Sequence, residues 1–377
     1  MIKRIIFVEN FYKNMKQYSF YSLIVVVLLS CNSTSTNDSS KSDTKSLIYP
    51  QESHLRNMKQ LTFEGDNAEA YWSFDDSKLV FQAKNKNWGA ICDQIYITDT
   101  NNYLMATKIP NLVSTGLGRT TCSYFLPGDT TIIYASTHLA DVLCPEEPER
   151  RDDGKYVWPI YDSFDIFISD LDGNIIYQLT DSPGYDAEAT VSPIGNMIVF
   201  TSIRSGDLEL YTCNIDGSNV KQVTDELGYD GGAFFSNDGK KLIFRSSRPK
   251  TVDAIAEYKM LLSEGLVKPT KMELYSCNID GSDLKQITSL GGANWAPFFH
   301  PSDQKVIFSS NHKSKRGFPF NLFMIDIDGN NLEQITFDTS FDAFPVFSND
   351  GKKIVFSSNR NNNGTRSTNV FIADWIE

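Results

Sequence analysis

The chain has 377 residues, of which 41% are hydrophobic and 12% aromatic, and its formal net charge is −12. This composition is globular, and the length is sufficient for a large core. The acidic balance excludes nucleic acid as a partner, because phosphate binding requires a basic surface. It suits an envelope protein, or a partner that carries cationic groups.

The first segment has the features of an export signal rather than of a folded element. Lysines precede the apolar run SLIVVVLLS (22–30), which is too short to span a hydrocarbon layer of about 30 Å. The tetrapeptide LLSC (28–31) resembles the lipobox of bacterial lipoproteins, and this resemblance implies that Cys31 is acylated. A plain secretory signal is the alternative. We predict a lipoprotein signal peptide and lipobox over residues 1–31, with Met15 as a second candidate start.

Polar residues of low complexity follow Cys31, in the order NSTSTNDSSKSDTKS. Such a segment has little apolar surface to bury and is typical of a flexible linker. We assign residues 32–55 to a flexible tether, and we expect contact with the membrane through the lipid alone.

One sequence motif then recurs along the chain. It consists of an aromatic or apolar residue, a tight turn whose sequence is often Asn-Asp-Gly, and a strand that ends in an aromatic residue and small polar residues. Its copies are WSFDDSKLVFQ (from Trp72), FLPGDTTIIYA (Phe125), VSPIGNMIVFT (Val191), FSNDGKKLIFR (Phe235), FHPSDQKVIFS (Phe299) and FSNDGKKIVFS (Phe347). Apolar alternation on both sides of a tight turn predicts two short antiparallel strands in each copy.

A second sequence motif follows each copy of the first except the last. It consists of a strand, an Asp-Gly hairpin turn, and a strand that ends in Gln-x-Thr. Examples are LYTCNIDGSNVKQVT (210–224), LYSCNIDGSDLKQIT (274–288) and LFMIDIDGNNLEQIT (322–336), and the first copy is degenerate. Two hairpins make a four-stranded antiparallel blade. We predict an all-β, six-bladed β-propeller over residues 56–377. The repeats resemble those of the TolB-type propeller family.

The way the ring closes is also predicted. The last unit ends at VFIADWIE without a fourth strand, while Met58–Thr62 stands alone before the first unit and matches the sequence of Glu333–Thr336. We expect this N-terminal strand to complete the last blade, which would remove an exposed sheet edge.

Long connections are expected on one face of the ring and tight turns on the other. Insertions between the second and third strands occupy 139–162 in blade 2, 249–271 in blade 4 and 313–319 in blade 5. Enlarged loops favour this face as the functional one, although tolerant loops also drift in length. A short helix is predicted in blade 4 from the spacing of Val252, Ile255, Leu262 and Leu266.

Each blade contains two residues that lie 18 positions apart in the sequence (204 − 186 = 18, for example). The earlier residue opens the first strand, and the later one follows the second strand. Three blades combine an acid with an arginine: Asp186/Arg204, Asp230/Arg248 and Asp342/Arg360. The others carry Asn67/Asn85, Thr120/His138 and Asn294/His312. Antiparallel neighbours touch, so we predict an ion pair within each of the first three blades.

In the blades without an ion pair, polar groups remain near the channel mouth. His138 and His312 fall on opposite blades, too far apart for one metal, and we interpret them as hydrogen-bonding residues of the mouth. The rim is also predicted to include Glu69, Arg119, Glu188, Trp295 and Phe344. Charged and aromatic rims suit the recognition of a peptide, a glycan or a cation.

The motifs G-x-S-x-G, H-E-x-x-H and C-x-x-C do not occur in the sequence. The oligogalacturonate lyases also use a TolB-like propeller, with a channel metal held mainly by histidines. This chain has 4 histidines, and His54 lies outside the predicted blades. We predict no catalytic residue, no metal site and no cofactor, with a metal-dependent lyase as an alternative.

The cysteines beyond Cys31 separate into two groups. Cys213 and Cys277 occupy equivalent positions in adjacent blades, too far apart to bridge. Three others, Cys92, Cys122 and Cys144, fall on the loop-bearing face, where one disulfide is expected. We favour Cys122–Cys144, because these residues open the first strand and follow the second strand of blade 2.

TolB itself carries an α/β domain ahead of its propeller, whereas the sequence here predicts a tether. We therefore expect a propeller-only lipoprotein outside the Tol–Pal system. It should be a monomer on the periplasmic side or the cell surface, with the outer membrane favoured. We expect it to bind an envelope protein or peptide at the channel mouth without catalysis. A glycan-binding lipoprotein, with Trp88, Trp158 and Trp295 around one groove, is the second hypothesis.

Overall fold

The computed structural model describes residues 46–100, 109–149, 151–315 and 317–377. The predicted signal peptide, the predicted acylation site Cys31 and tether residues 32–45 lie outside this part of the chain. Within it, no helix is both long enough and apolar enough to cross a membrane.

Short strands make up most of the structure. In chain order the first are β1 (Leu55–Gln60), β2 (Asp66–Trp72), β3 (Lys78–Lys84), β4 (Gln94–Asp99), β5 (Asn111–Leu112), β6 (Thr120–Phe125), β7 (Thr131–Ser136), β8 (Trp158–Pro159), β9 (Asp165–Asp170), β10 (Ile175–Gln178), β11 (Asp186–Val191), β12 (Met197–Ser202), β13 (Glu209–Asn214) and β14 (Lys221–Gln222). The others are β15 (Asp230–Phe235), β16 (Lys241–Ser246), β17 (Leu266–Val267), β18 (Glu273–Asn278), β19 (Lys285–Gln286), β20 (Asn294–Phe299), β21 (Lys305–Ser310), β22 (Asn321–Asp326), β23 (Glu333–Gln334), β24 (Asp342–Phe347), β25 (Lys353–Ser358) and β26 (Asn369–Trp375). The helices are a 3₁₀ turn (Lys86–Trp88) and α1 (Val252–Ser263).

The strands form six four-stranded antiparallel blades around a central channel. From the channel outward their orders are β2-β3-β4-β5, β6-β7-β9-β10, β11-β12-β13-β14, β15-β16-β18-β19, β20-β21-β22-β23 and β24-β25-β26-β1. The innermost strands of successive blades contact one another around the whole ring. The predicted six-bladed propeller is confirmed.

The recurring aromatic at the end of each second strand fills the space between blades. These side chains are Phe81, Tyr134, Phe200, Phe244, Phe308 and Phe356, and each is 0% exposed. Burying an aromatic of this size stabilises a fold by about 1.5–3 kcal/mol. The repeat therefore encodes one core anchor for each blade.

The Gln-x-Thr ending fastens the outermost strand to the third strand. In blade 3, Thr224 Oγ1 accepts a hydrogen bond from the Leu210 backbone N–H at 2.9 Å, and Gln222 Nε2 donates to the Thr224 carbonyl at 2.7 Å. The short outer strand offers few ladder bonds, so these side-chain bonds hold it in place. In blade 1, where the ending is degenerate, Ser114 takes the role of the threonine.

The predicted closure of the ring is confirmed. Strand β1 pairs antiparallel with β26, with Leu55 opposite Trp375 and Gln60 opposite Phe371. Thr62 Oγ1 accepts from the Val370 backbone N–H at 2.9 Å, which repeats the Gln-x-Thr geometry with residues from opposite ends of the propeller.

The propeller begins earlier than the predicted boundary at residue 56. Residues 46–54, which we assigned to the tether, pack on blade 6, and Glu52 is only 1% exposed. Arg360 donates to both carboxylate oxygens of Glu52, from Nη2 to Oε1 at 3.0 Å and from Nη1 to Oε2 at 3.1 Å. Tyr49 also donates a hydrogen bond to Asp338 at 2.7 Å. The assignment of this segment to a flexible tether therefore missed a buried ion pair, that of Glu52 with Arg360.

The predicted helix is present as α1, and the Thr251 side chain caps its first turn. Its buried residues are Tyr258 and Leu261, whereas the predicted apolar position Val252 is 83% exposed. The predicted buried face was wrong at its N-terminal end. The helix is held through its middle, where the Tyr258 hydroxyl donates to Asp207.

Candidate binding site

Two insertions join to build one wall at the loop-bearing end of the channel. Strand β8 of the blade 2 insertion pairs with β17 of the blade 4 insertion, with Trp158 opposite Val267. Lys155 and Glu257 add an ion pair of 2.7 Å between the two segments. The insertions are far apart in sequence, yet they form a single structure over the channel.

Beneath this wall lies a cavity of about 450 Å³. Five residues predicted for the rim line it, namely Glu69, Arg119, Glu188, Trp295 and Phe344. The cavity is also lined by residues that were not predicted for the rim, among them Tyr71, Gln82, Cys122, Tyr229, Phe234 and Arg245. The predicted mouth residues His138 and His312 are not among its lining residues.

A bulge at the same position of every innermost strand directs one residue to the cavity. The register with the second strand shifts there in all six blades, for example between Ala68 and Tyr71. The bulge residues all have positive φ: Glu69 (54°), Cys122 (47°), Glu188 (60°), Gly232 (58°), Ala296 (47°) and Phe344 (55°). Backbone of this kind is costly for residues other than glycine and is concentrated at functional sites.

Aromatic rings close the cavity at its inner end. Tyr71, Tyr124 and Phe234 come from three different blades, and their ring centroids lie 5.5 to 6.5 Å apart. Tyr124 and Phe234 also line a much smaller cavity of about 30 Å³ on the side of the tight turns. These rings separate the two cavities, and the cavity of about 450 Å³ lies on the loop-bearing side of them.

Glu188 is held in an ion pair at the centre of the ring. Besides Arg245, its carboxylate accepts hydrogen bonds from Thr201 Oγ1 (2.7 Å), Tyr229 OH (2.8 Å) and the Gly232 N–H (2.9 Å). Burial alone would raise the pKa of Glu188, but the Arg245 charge and these hydrogen bonds outweigh it and keep the pKa below its usual value. The pair therefore stays ionised.

Arg245 itself is 7% exposed, and its guanidinium lies 5.5 Å from the Trp158 ring centroid and 5.0 Å from that of Tyr229. Its Nε has no hydrogen-bond partner among the described residues. A buried donor without a partner is unusual, and this one belongs to a side chain that lines the cavity.

Glu69 differs from Glu188 in its partners. Its Oε2 accepts hydrogen bonds from two neutral groups, Cys122 Sγ at 3.2 Å and Tyr71 OH at 3.3 Å. Burial, with a contribution from the charge of Glu188, raises the pKa of Glu69 to about 7. Burial also raises the pKa of the Cys122 thiol well above its usual value, so the thiol stays neutral.

Arg119 forms the outer wall of the cavity. Its Nη2 lies 2.7 Å from Glu147 Oε1, which also contacts Lys84 Nζ at 2.6 Å. Hydrogen bonds from Lys84 and Arg119 lower the pKa of Glu147. The guanidinium of Arg119 lies 5.7 Å from the ring centroid of Tyr161. These contacts attach the blade 2 insertion to blade 1.

The predicted ion pairs are present in blades 3, 4 and 6. The shortest nitrogen–oxygen distances are 2.9 Å for Asp186–Arg204, 2.5 Å for Asp230–Arg248 and 3.0 Å for Asp342–Arg360. Each arginine also lies over an aromatic ring of its own blade. The pairs fasten the second strand to the first.

His138 and His312 take the place of these arginines in their own blades. The Nδ1 of His138 lies 2.9 Å from Ser136 Oγ, and the Nδ1 of His312 lies 2.8 Å from Ser310 Oγ. The imidazoles also pack at 4.5 Å on the rings of Phe167 and Phe323. Burial lowers the pKa of both histidines. Their contacts are those of blade stabilisation.

The disulfide joins Cys92 to Cys144, and Cys122 is free. The favoured pair Cys122–Cys144 was wrong, because the bulge turns Cys122 toward the channel. The blade 2 insertion instead crosses to the neighbouring blade and meets Cys92 there. The bridge ties the insertion to the loop of blade 1.

The aromatic groove expected for a glycan is only partly assembled. Trp158 and Trp295 contact each other, with centroids 5.1 Å apart, and both line the cavity. Trp88 packs instead on Phe81 and Tyr96 in blade 1. In the described ranges, no group of three or more His, Cys, Asp or Glu side chains is arranged to hold a metal ion.

Arg245 could have been found from the repeat. It directly follows the anchor aromatic of blade 4, where the other blades carry Gln82, Ala135, Thr201, Ser309 and Ser357. A large charged residue in a position otherwise held by small or neutral ones indicates a function outside blade packing.

These features define a closed six-bladed propeller with a cavity at the loop-bearing end of its channel. The profile of the family described as TolB beta propeller domain matches residues 159–267 and 267–366, which together span more than half of the chain. The chain belongs to this family.

Solved structures show the same fold. A structure assigned as TolB from Agrobacterium tumefaciens has a TM-score of 0.53 at 18% identity, covering 83% of this chain and 91% of that one. TolB from Acinetobacter baumannii has a TM-score of 0.49 at 19% identity, covering 83% of this chain and 64% of that one. Oligogalacturonate lyase from Vibrio parahaemolyticus has a TM-score of 0.50 at 10% identity, covering 84% of this chain and 93% of that one. At these identities the similarity shows the fold alone. A comparison with curated protein sequences found no match.

Proposed function

We propose that this protein is a lipid-anchored binding module of the bacterial envelope, which holds a peptide segment of a protein partner in the channel cavity without catalysing a reaction. The observation that carries the proposal is the cavity of about 450 Å³, lined by aromatic rings and a few fixed charged groups. Ligand sites commonly have this volume and composition, and aromatic residues and arginine dominate the energetics of protein recognition.

Binding is favoured over catalysis because two potentially reactive groups of the cavity, Glu188 and Cys122, are restrained. Glu188 is saturated by Arg245 and neutral donors, and the Cys122 thiol stays protonated. A thiol nucleophile requires the thiolate. The lyase alternative is supported by similarity of fold to the oligogalacturonate lyase of Vibrio parahaemolyticus at 10% identity, which shows nothing about the reaction.

A glycan is the second candidate, because Trp158 lies in the cavity beside Tyr156, which is 57% exposed. Trp295 contributes less than expected, since it is 8% exposed and its Nε1 donates to the Pro269 carbonyl. A stacking platform for a sugar needs an exposed ring face, so the peptide hypothesis is favoured.

The test is site-specific photo-cross-linking of the full chain in its native envelope. A benzophenone amino acid replaces Tyr156 at the cavity, or Ile194, which is 61% exposed in a tight turn on the opposite face. We expect a protein adduct at position 156 that maps to one short segment of one partner, and none at position 194.

Adducts to the same protein at both positions, or at 194 alone, would contradict the proposal. Adducts to carbohydrate at position 156 would indicate that the ligand is a glycan rather than a peptide.

A further inference from the structure

The charges that line the cavity are not balanced. Glu188 is paired with Arg245, and Arg119 is shared between Glu147 at 2.7 Å and Asp93 at 3.7 Å. Glu69 receives hydrogen bonds from neutral groups only, and none of the ion pairs among the described residues includes it. It is the carboxylate of the bulge ring that lacks a cation.

Aromatic surface lies next to this carboxylate. The Tyr71 hydroxyl contacts Glu69, and the ring of Tyr71 packs on Phe234 in the floor of the cavity, with centroids 5.7 Å apart. Phe344 occupies the bulge position of the neighbouring blade and lines the same cavity. Aromatic faces attract cations, and this attraction strengthens when water is excluded.

Arg245 also lines the cavity, but it is already committed to a partner within the protein. It is 7% exposed, its guanidinium is paired with Glu188, and its Nε is buried. The site therefore offers one carboxylate, that of Glu69, for a cation.

We propose that the cavity selects a peptide with a cationic side chain, lysine or arginine, whose charge pairs with Glu69. This inference rests on the proposed function, and it specifies the class of peptide. It also agrees with the net charge of −12.

Binding should depend on pH through Glu69. The groups that face it are Tyr71, Cys122, Glu188 and Arg245. Burial raises the pKa of Tyr71 and of Cys122, which stay neutral, and the Glu188–Arg245 pair stays ionised. Since the pKa of Glu69 is about 7, its carboxylate is the group that changes charge near neutral pH.

The experiment is calorimetric titration of the full chain with three pentapeptides. They are acetyl-Gly-Gly-Lys-Gly-Gly-amide, the same peptide with uncharged norleucine in place of lysine, and the norleucine peptide with a free amino terminus. We expect the lysine peptide to bind roughly tenfold more tightly than blocked norleucine at pH 8, as one partly buried charged hydrogen bond allows. The preference should decrease at pH 6, where binding should release a proton.

The Glu69→Gln variant should lose both the preference and the proton release. The matched control is Glu149→Gln, which removes an exposed carboxylate from the blade 2 insertion and should retain both.

Equal binding of the lysine and blocked norleucine peptides would overturn the inference and leave the proposed peptide-binding function standing. A preference for the free amino terminus over lysine would also overturn it, as would binding of none of the three. Failure of the proposed function appears separately, as loss of the cross-linking contrast between positions 156 and 194.

Discussion

Glu69 makes a quantitative prediction about stability possible. Burial raises its pKa to about 7 from a usual value of 4.5. One unit of pKa difference between folded and unfolded states corresponds to about 1.4 kcal/mol, so ionised Glu69 lowers the free energy of unfolding by up to about 3 kcal/mol. This is an upper value, because solvent reaches the side chain from the open end of the cavity. The Glu69→Gln substitution keeps the shape and removes the charge.

The direction of the pH dependence follows from where the proton is bound. Below pH 4.5 the carboxyl is protonated in both states and has no effect. As the pH rises from 4.5 to about 7, the unfolded chain loses the proton and the folded protein keeps it, so the folded state loses stability. Above pH 7 the loss is complete. We expect the variant to equal the wild type near pH 4.5 and to exceed it by up to about 3 kcal/mol at pH 8.

Urea unfolding at a series of pH values, followed by circular dichroism, measures this difference. Burial also raises the pKa of Glu209 to about 8 and that of Asp165 to about 6, but both act equally in wild type and variant and cancel in the comparison. Glu149→Gln serves as a control, with a difference that stays flat. A difference for Glu69→Gln that does not change with pH, or that decreases as the pH rises, would refute the reasoning.

The disulfide and the buried ion pairs of Arg360 lead to two further, independent predictions. Cys144→Ser removes the bridge to Cys92, which spans 52 residues, and should lower the free energy of unfolding by about 2–4 kcal/mol. Peptide mapping of the oxidised wild type should recover this pair, and recovery of a different pair would contradict the assignment. Arg360→Met should cost about 3–5 kcal/mol in urea unfolding, because it leaves two buried carboxylates without a cation. Arg204→Met should cost less, since that side chain is 21% exposed. Equal losses would show that burial does not set the cost.

The local repeat was sufficient to predict the blades and the ring closure, and the apolar spacing of the blade 4 insertion predicted the helix. Strand pairing and the Gln-x-Thr ending act on partners within one blade, through contacts along neighbouring strands. The anchor aromatic recurs once in every blade, so it is recognised from the repeat alone. The ion pairs were also visible, because residues at equal spacing in antiparallel strands are opposite one another.

The cavity was predicted only in part. Glu69, Glu188 and Phe344 were recognised as members of the mouth, but their common backbone geometry, a bulge with positive φ, leaves no mark in the sequence. Arg245 was missed because it belongs to the second strand and reaches the cavity from the neighbouring blade, where it meets Glu188. His138 and His312 were placed at the mouth by the repeat spacing alone, but they pack on rings of their own blades and do not line the cavity.

By itself the sequence determined the class of fold, the number of blades, the closure by the N-terminal strand and the face that carries the insertions. Alternation, turn residues and repeat spacing act over short distances along the chain, so they can be recognised without coordinates. Only the tertiary structure decided which of the three cysteines pair, that Glu52 completes a buried ion triad with Arg360, and that Glu69 lacks a cation. Each of these depends on distances between residues remote in sequence, which are set when the blades close into a ring.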